Sequence, residues 1–297
     1  MRLLADVALR TCHRPAYRSL DIIEIIRVTK APTPTALLAC AHSLADASAK
    51  AIRPFFRKVM TIDDKGGAAG FDPVTAADKA AERAIARHLA HAFPDHGLIG
   101  EEYGIVRPNA RFRWVINPID GTRAFIMGLP TWGTLIGLMD GTELVLGVMD
   151  QPFTGERFWS SAGASHLRTG DGRTRKIKTR ACQDLGQAVF STTHPDLFAA
   201  GSEKAVHDAI KSTARMTRYG GDCYAYCLLA AGHIDVIVEP GLKPYDIAAL
   251  VPIIERAGGR VTTWDGGPAA GGGDIVACGD RALHAKVLRV IAKTGRG

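Results

Sequence analysis

Nine residues constrain this chain more than any others: Trp114-Val115-Ile116-Asn117-Pro118-Ile119-Asp120-Gly121-Thr122. The apolar run Trp114-Val115-Ile116 reads as a buried strand. Pro118 and Gly121 then impose a tight turn, which carries an acid, a glycine and a hydroxyl at a helix start. Free N–H groups and the helix dipole favour an anion there, and Gly121 lets it come close to the backbone. With Asp120 alongside, the layout suits a divalent cation held next to a phosphate. An ordinary Asp-capped helix accounts for Asp120 and Gly121, but not for similar acids at the ends of other elements. Glu101 follows the short apolar strand Leu98-Ile99-Gly100, and Asp246 opens a helix after the loop Pro240-Gly241-Leu242-Lys243-Pro244. Acids at the ends of three separated segments are what a shared Mg²⁺ site requires, because Mg²⁺ takes hard oxygen ligands in near-octahedral geometry. The first polar position of the turn is Asn117, where that chemistry would prefer a carboxylate.

Apolar spacing predicts helices over residues 35–58, 76–93, 201–214, 223–231, 245–257 and 281–293. Thr33 or Thr35 is the expected cap of the first. Strands are expected at 98–100, 112–116, 131–139, 144–150, 156–160, 188–192, 216–219, 234–239, 261–263 and 275–278, with a helical turn over 122–127. Residues 63–71 read as a Gly/Asp-rich loop; Lys65 within it could approach the site in a closed state, and a solvated loop lysine is the reading preferred. The first half is therefore α+β and the second, with alternating strands and helices, α/β. We expect three parts: an N-terminal extension over 1–34, an α+β metal-binding domain over 35–183 and an α/β substrate-side domain over 184–297. Residues 1–20 are Arg-rich with one acid, a pattern weakly like an organellar transit peptide. A disordered extension, an upstream start and an extra element all remain open for 1–34; a poorly packed extension is the reading preferred.

The 297 residues carry a formal charge of +7. That excess sits mostly at Arg2, Arg10, Arg14, Arg18 and in the run 168–180, without the aromatic interleaving of a single-strand binder. We therefore expect no nucleic-acid partner, and read the charge as suited to attracting anionic esters. No apolar run is long enough to span a bilayer, so no membrane partner is expected. The six cysteines form no zinc or disulfide pattern, which suits reduced thiols and a cytoplasmic location. Cys223 and Cys227 read as small core residues, His42, His88, His91 and His96 as surface histidines, and Trp132 and Trp159 as core.

At this point the chain resembles the inositol monophosphatase family of Mg²⁺-dependent phosphatases. The matching pieces are Asp72-Pro73-Val74-Thr75-Ala76-Ala77-Asp78, Gly100-Glu101-Glu102, Trp114 through Thr122, and Tyr245-Asp246-Ile247-Ala248-Ala249 with Gly258-Gly259 behind it. They cover roughly residues 35–293. The chain looks most like the histidinol-phosphatase branch, through the stretches 125–136, 151–158, 192–195 and 219–226. The resemblance implies an αβαβα layered sandwich of the inositol monophosphatase and fructose-1,6-bisphosphatase type, a homodimer, and two or three Mg²⁺ ions. It implies that Glu101 binds the first metal and orients the attacking water, that the bridging aspartate falls on Asn117, and that the Ile119 carbonyl binds the first metal. Asp120 and Asp246 would bind the second. Thr122 would hydrogen-bond the water with Asp78 behind it, the N–H groups of Gly121 and Thr122 would cradle phosphate, and Glu239 would meet the alcohol. Asp222 and Glu239 together would suit a cationic amino alcohol such as L-histidinol phosphate; inositol or another sugar phosphate is the alternative within the class, and a catalytically silent metal- or phosphate-binding protein the alternative outside it.

Asn117 departs from that pattern. An amide offers one neutral oxygen and an NH₂ group, so paired cations would lack their bridging anion. An engineered substitution, a naturally weakened enzyme and a pseudo-enzyme are the competing explanations; the intact remainder of the site favours an engineered or recent change.

Overall fold

The computed structural model describes residues 32–59, 61–65 and 73–294, so the expected 1–34 extension lies almost wholly outside them. Helix α1 (Pro34–Ile52) starts where Thr33 Oγ1 accepts from Ala36 N at 3.2 Å, and Pro34 pre-sets its first turn. It stops short of the expected 58 because Pro54 has no N–H to continue the ladder; Arg53, still helical, gives the last bond to the Ala49 carbonyl. Where a plain loop was expected, β1 (Ile62–Asp64) pairs antiparallel with β2 (Pro73–Thr75). Helix α2 (Ala76–Ala92) follows directly, closed by a capping box between Thr75 and Asp78.

Eight strands form the first sheet: β3 (Gly97–Gly100), β4 (Ile105–Val106), β5 (Phe112–Asp120), β6 (Gly133–Asp140), β7 (Glu143–Gln151), β8 (Glu156–Ser160), β9 (Ser165–Arg168) and β10 (Thr174–Ile177). Their order is β10-β9-β8-β7-β6-β5-β3-β4. All neighbours are antiparallel except β3 and β5. The edge strands β4 and β10, and β9 beside β10, went unseen in the sequence. Helix α3 (Thr122–Met127) hangs from the end of β5.

The second sheet has the order β12-β11-β13-β15-β14, from β11 (Val189–Thr192), β12 (Met216–Tyr219), β13 (Val236–Leu242), β14 (Arg260–Thr263) and β15 (Gly273–Cys278). Its helices are α4 (Ser202–Thr213), α5 (Asp222–Ala230), α6 (Pro244–Ile247), α7 (Leu250–Ala257) and α8 (Arg281–Thr294).

Buried side chains assign the layers. Leu44, Ile85, Trp114, Ile136 and Val148 join α1 and α2 to one face of the first sheet. Leu135, Met149 and Phe158 on its other face meet Cys227 and Leu229 of α5 and Ile253 of α7, which also touch Ile237 and Ile275 of the second sheet. Phe190 and Val276 on the far face pack against Val206 of α4 and Val287 of α8. Helix, sheet, helix, sheet, helix is the αβαβα sandwich expected. Each fully buried aliphatic side chain contributes about 1.5–3 kcal/mol. Trp132 is core as expected, and Trp159 is partly buried.

Two local devices aim the chain at one region. In β5 the register slips between Asn117, opposite Leu135, and Asp120, opposite Gly133. This is a bulge, needed because Pro118 has no N–H to give the ladder, and it re-aims the residues around it. The expected helix 245–257 is broken into α6 and α7 at Ala248-Ala249. That joint sits on a pair of glycines opposite each other, Gly137 and Gly147. A methyl at 147 would lie 1.8 Å from the Ala249 carbonyl oxygen, and one at 137 would lie 3.0 Å from Ala248. Backbone thus rests on backbone, and Asp246 is carried down to the β5 turn.

Candidate active site

Asn117 is 3% exposed. Its Nδ2 donates to Asp246 Oδ1 at 2.9 Å and to Asp120 Oδ1 at 3.4 Å. Ionised carboxylates accept only, which turns the NH₂ end towards them. Asn117 Oδ1 is left buried without a partner. The other oxygens of the two acids take backbone donors: Asp120 Oδ2 accepts from Cys223 N at 2.8 Å, in the first turn of α5, and Asp246 Oδ2 from Lys243 N at 2.7 Å. Strands from the first sheet and helices from the central layer therefore meet at one amide.

Glu101 leaves the end of β3. Its Oε1 meets Lys65 Nζ at 3.3 Å, while Glu102 Oε1 meets the same ammonium at 2.7 Å. Lys65 is thus an ion-pair partner of this turn rather than the solvated lysine expected. Glu101 Oε2 is buried without a hydrogen bond. Glu82, fully buried on α2, holds the turn: it accepts from Glu102 N at 2.8 Å and Tyr103 N at 3.0 Å. A methyl at 100 would fall 1.9 Å from Glu82 Oε1 and push that carboxylate off the turn it holds.

The acids share one field. Burial pushes Glu101 up to about 8, with Asp246, Glu102 and Asp78 adding to the rise against the pull of Lys65. Burial raises Asp246 to about 6 and lifts Asp120 well above the carboxylate range, Asp246 and Asp222 reinforcing the latter. Asp78 rises to about 6, also from burial, although the Thr75 hydroxyl and N–H both donate to it. Acids this close and this dry lack countercharge.

A hard cation answers part of that need. Among the described residues no three Asp, Glu, His or Cys side chains are already set as a cation cage. Glu101 Oε2 and Asn117 Oδ1, both buried and without a hydrogen bond, are oxygen donors of the kind Mg²⁺ takes. Between Asp120 and Asp246 the fit is poorer, because the Asn117 NH₂ group already bonds to both.

Gly121 stands at φ +80°, and a methyl on it would lie 2.9 Å from Asp222 Cγ. A side chain there meets both left-handed strain and a clash, so the approach to the N–H groups of Gly121 and Thr122 stays open. Thr122 Oγ1 donates to the Ile119 carbonyl at 3.0 Å, and Thr134 Oγ1 to the Pro118 carbonyl at 2.8 Å, with Ser48 Oγ 2.9 Å behind it. The turn is braced through to α1.

A cavity of about 190 Å³ opens beside this turn, lined by Asp120, Asp222, Glu239, Asp246, Thr193 and Tyr226 among others. Burial raises Asp222 to about 6, Glu239 adding to it. Glu239 has both oxygens engaged: Oε1 by Thr193 N at 2.5 Å and Oε2 by the Tyr226 hydroxyl at 2.8 Å. It acts on the cavity through charge and by fixing Thr193 and Tyr226. Glu82 was not singled out in the sequence, and Thr193 and Tyr226 only as parts of the stretches of resemblance, without a role; nothing local marks an acid or a tyrosine that bonds across 13 to 46 positions. Of the histidines, His88 and His91 are exposed as expected, whereas half-buried His96 accepts from Trp114 Nε1 at 3.0 Å and half-buried His42 touches Arg157.

Residues 34–296 match the model of the inositol monophosphatase family. The chain is 41% identical over 261 residues to the bifunctional phosphatase IMPL2, chloroplastic, of Arabidopsis thaliana, covering 84% of this chain and 73% of that one. It is 35% identical to the histidinol-phosphatase of Streptomyces coelicolor over 84% of this chain and 95% of that protein. A solved inositol monophosphatase from Zymomonas mobilis superposes with a TM-score of 0.77 at 42% identity, over 88% of this chain and 99% of the other. A layered sandwich, an acid cluster on a bulged strand and relatives matched over most of their length lead to one conclusion: the chain belongs to the inositol monophosphatase family and is a phosphoric monoester hydrolase.

Proposed function

We propose that the chain hydrolyses L-histidinol phosphate to L-histidinol with Mg²⁺, as a step of histidine biosynthesis, and that Asn117 depresses its turnover. The observation that carries the substrate reading is the cavity in which Asp222 and Glu239 join Asp120 and Asp246. Four acids around a small space favour an alcohol that bears positive charge, as an amino alcohol does. The histidinol-phosphatase relative supports the same reading.

In this scheme two or three Mg²⁺ ions supply charge neutralisation and a more acidic bound water. Glu101, Asn117 and the Ile119 carbonyl would hold metal on one side, Asp120 and Asp246 on the other. Gly121 and Thr122 receive the phosphate on their N–H groups. The Thr122 hydroxyl, held on the Ile119 carbonyl, and Asp78 behind it orient the water. Asp222 and Glu239 fix the organic part and exclude neutral alcohols. Residues 35–183 thus supply most of the metal-binding domain, and 184–297 the substrate side together with the ligand Asp246.

A homodimer suits the exposed apolar side chains Met127, Leu129 and Phe153 near α3. A cytoplasmic location suits five described cysteines that are all unpaired, and no described helix is long and apolar enough to cross a membrane.

Phosphate release from histidinol phosphate and inositol 1-phosphate, with and without Mg²⁺, tests the scheme in the chain as it stands and in Asn117→Asp. Restoring the acid should raise Mg²⁺-dependent release by roughly tenfold or more, with histidinol phosphate preferred and the preference lost in Glu239→Gln. Preference for inositol 1-phosphate overturns the substrate. The Asn117 amide bonded to both acids favours a second reading, a protein that binds metal or phosphate without turnover; tight binding with no release even after restoration would establish it.

A further inference from the structure

A second cavity, of about 460 Å³, lies away from the acid cluster, between the C-terminal half of α1 and the adjoining ends of β7, β8 and β9. Four cations line it, Lys50, Arg53, Arg157 and Arg168, against two carboxylates, Asp46 and Asp150. Both carboxylates are already spent on one partner. Arg157, only 3% exposed, donates from Nε to Asp150 Oδ1 at 2.6 Å and from Nη2 to Asp46 Oδ1 at 2.7 Å, and Nη1 reaches the His42 carbonyl at 3.3 Å. Arg53 donates only to a neutral group, the Pro152 carbonyl, at 3.2 Å. The side chains of Lys50 and Arg168 have no hydrogen bond or ion pair among the described residues.

We propose that this cavity is a second anion site, one that takes a small phosphate-type dianion between Lys50, Arg53 and Arg168 above the fixed Arg157 guanidinium. Helix-dipole complementarity explains Lys50 and Arg53, which stand at the end of α1. It does not explain Arg157 and Arg168, which come from strands and converge on the same space. Two positive charges are left uncompensated at the lining, the number a dianion neutralises, and guanidinium groups match the oxygen spacing of phosphate. The local field is already positive: burial pushes His42 down to about 4, with Arg157 and then Arg168 among the causes. This site stands independently of the histidinol phosphate reading, since none of its lining residues belongs to the acid cluster.

Inorganic phosphate is the probe, titrated into the full chain while the ring nitrogens of His42 are followed by NMR, with sodium chloride at matched ionic strength as the control. Phosphate should move the His42 signals and chloride should not. In Lys50→Ala combined with Arg168→Ala the midpoint should rise roughly tenfold or more, because each charge-assisted contact is worth about a tenfold change in affinity. Arg168→Lys alone should shift it less. Equal responses to phosphate and chloride, or an unchanged midpoint in the double variant, overturn the proposal. The phosphate-against-chloride comparison needs no substitution, so it decides even where the double variant folds poorly.

Discussion

Replacing Asn117 by aspartate exchanges a neutral donor for a third carboxylate. The amide now lies 2.9 Å from Asp246 and 3.4 Å from Asp120. Two like charges about 4 Å apart repel by about 4 kcal/mol at an effective dielectric of about 20. A proton retained on one acid limits that cost, and the acids here already hold protons unusually well. Two hydrogen bonds to charged acceptors are lost as well. The metal-free variant should therefore be about 3 kcal/mol less stable, a cost typical of unbalancing a buried charge. At about 2–4 °C per kcal/mol for a domain of this order of size, melting should drop by about 6–12 °C in chelator. Mg²⁺ at about a hundred times its dissociation constant returns about 2.7 kcal/mol, hence about 5–10 °C. The chain with Asn117 should gain no more than about 2 °C from the same ion, on the same conversion. Calorimetry of both proteins in chelator and in rising Mg²⁺ makes the measurement. Equal Mg²⁺ shifts, or a variant more stable than its parent in chelator, would refute the view that this amide stands in for a cation.

Gly147→Ala should cost about 3 kcal/mol or more, since the new methyl meets the Ala249 carbonyl and backbone must move; urea denaturation reads the loss, and Mg²⁺ binding should weaken with it. Thr134→Val keeps the shape but strips the Pro118 carbonyl and Ser48 of their partner, costing about 1–3 kcal/mol with an unchanged denaturant slope. His284, held by Thr262 at 3.0 Å, is pushed by burial, and secondarily by Arg260, from 6.5 down to about 4. Between those values the unfolded chain binds a proton that the folded chain refuses, so stability falls as pH falls through that window. His284→Gln lacks this loss, and its melting temperature relative to the parent should rise from pH 7 to pH 4; a constant difference would show that His284 does not titrate this way.

Much of the site was legible because its residues sit in short contiguous pieces. Strand, Pro/Gly turn and helix start are local events, so Asp120, Gly121 and Thr122 stood out, and the apolar periods of α1, α2 and α8 gave the layers their helices. What stayed hidden is non-local. Glu82 looks like any helix acid until the Glu101 turn folds over it. Lys65 reads as a loop lysine because nothing nearby in the chain announces Glu102. The break between α6 and α7 is written in Gly137 and Gly147, a hundred residues earlier, and a helical period runs through Ala248 unaware of them. Arg157 and Asp150 are seven apart but face each other only because β7 and β8 form a hairpin.

The seat of Ala248-Ala249 on the two glycines has a further consequence. Main-chain contact has no rotamers to exchange, so the span from Asp246 to the Asn117 turn cannot be tuned by side-chain repacking. Any ion that enters must match a gap of set width. In the proposed scheme ionic radius, more than ligand count, would then separate one divalent metal from another, and a larger ion such as Ca²⁺ would have to lift the α6–α7 joint off the first sheet.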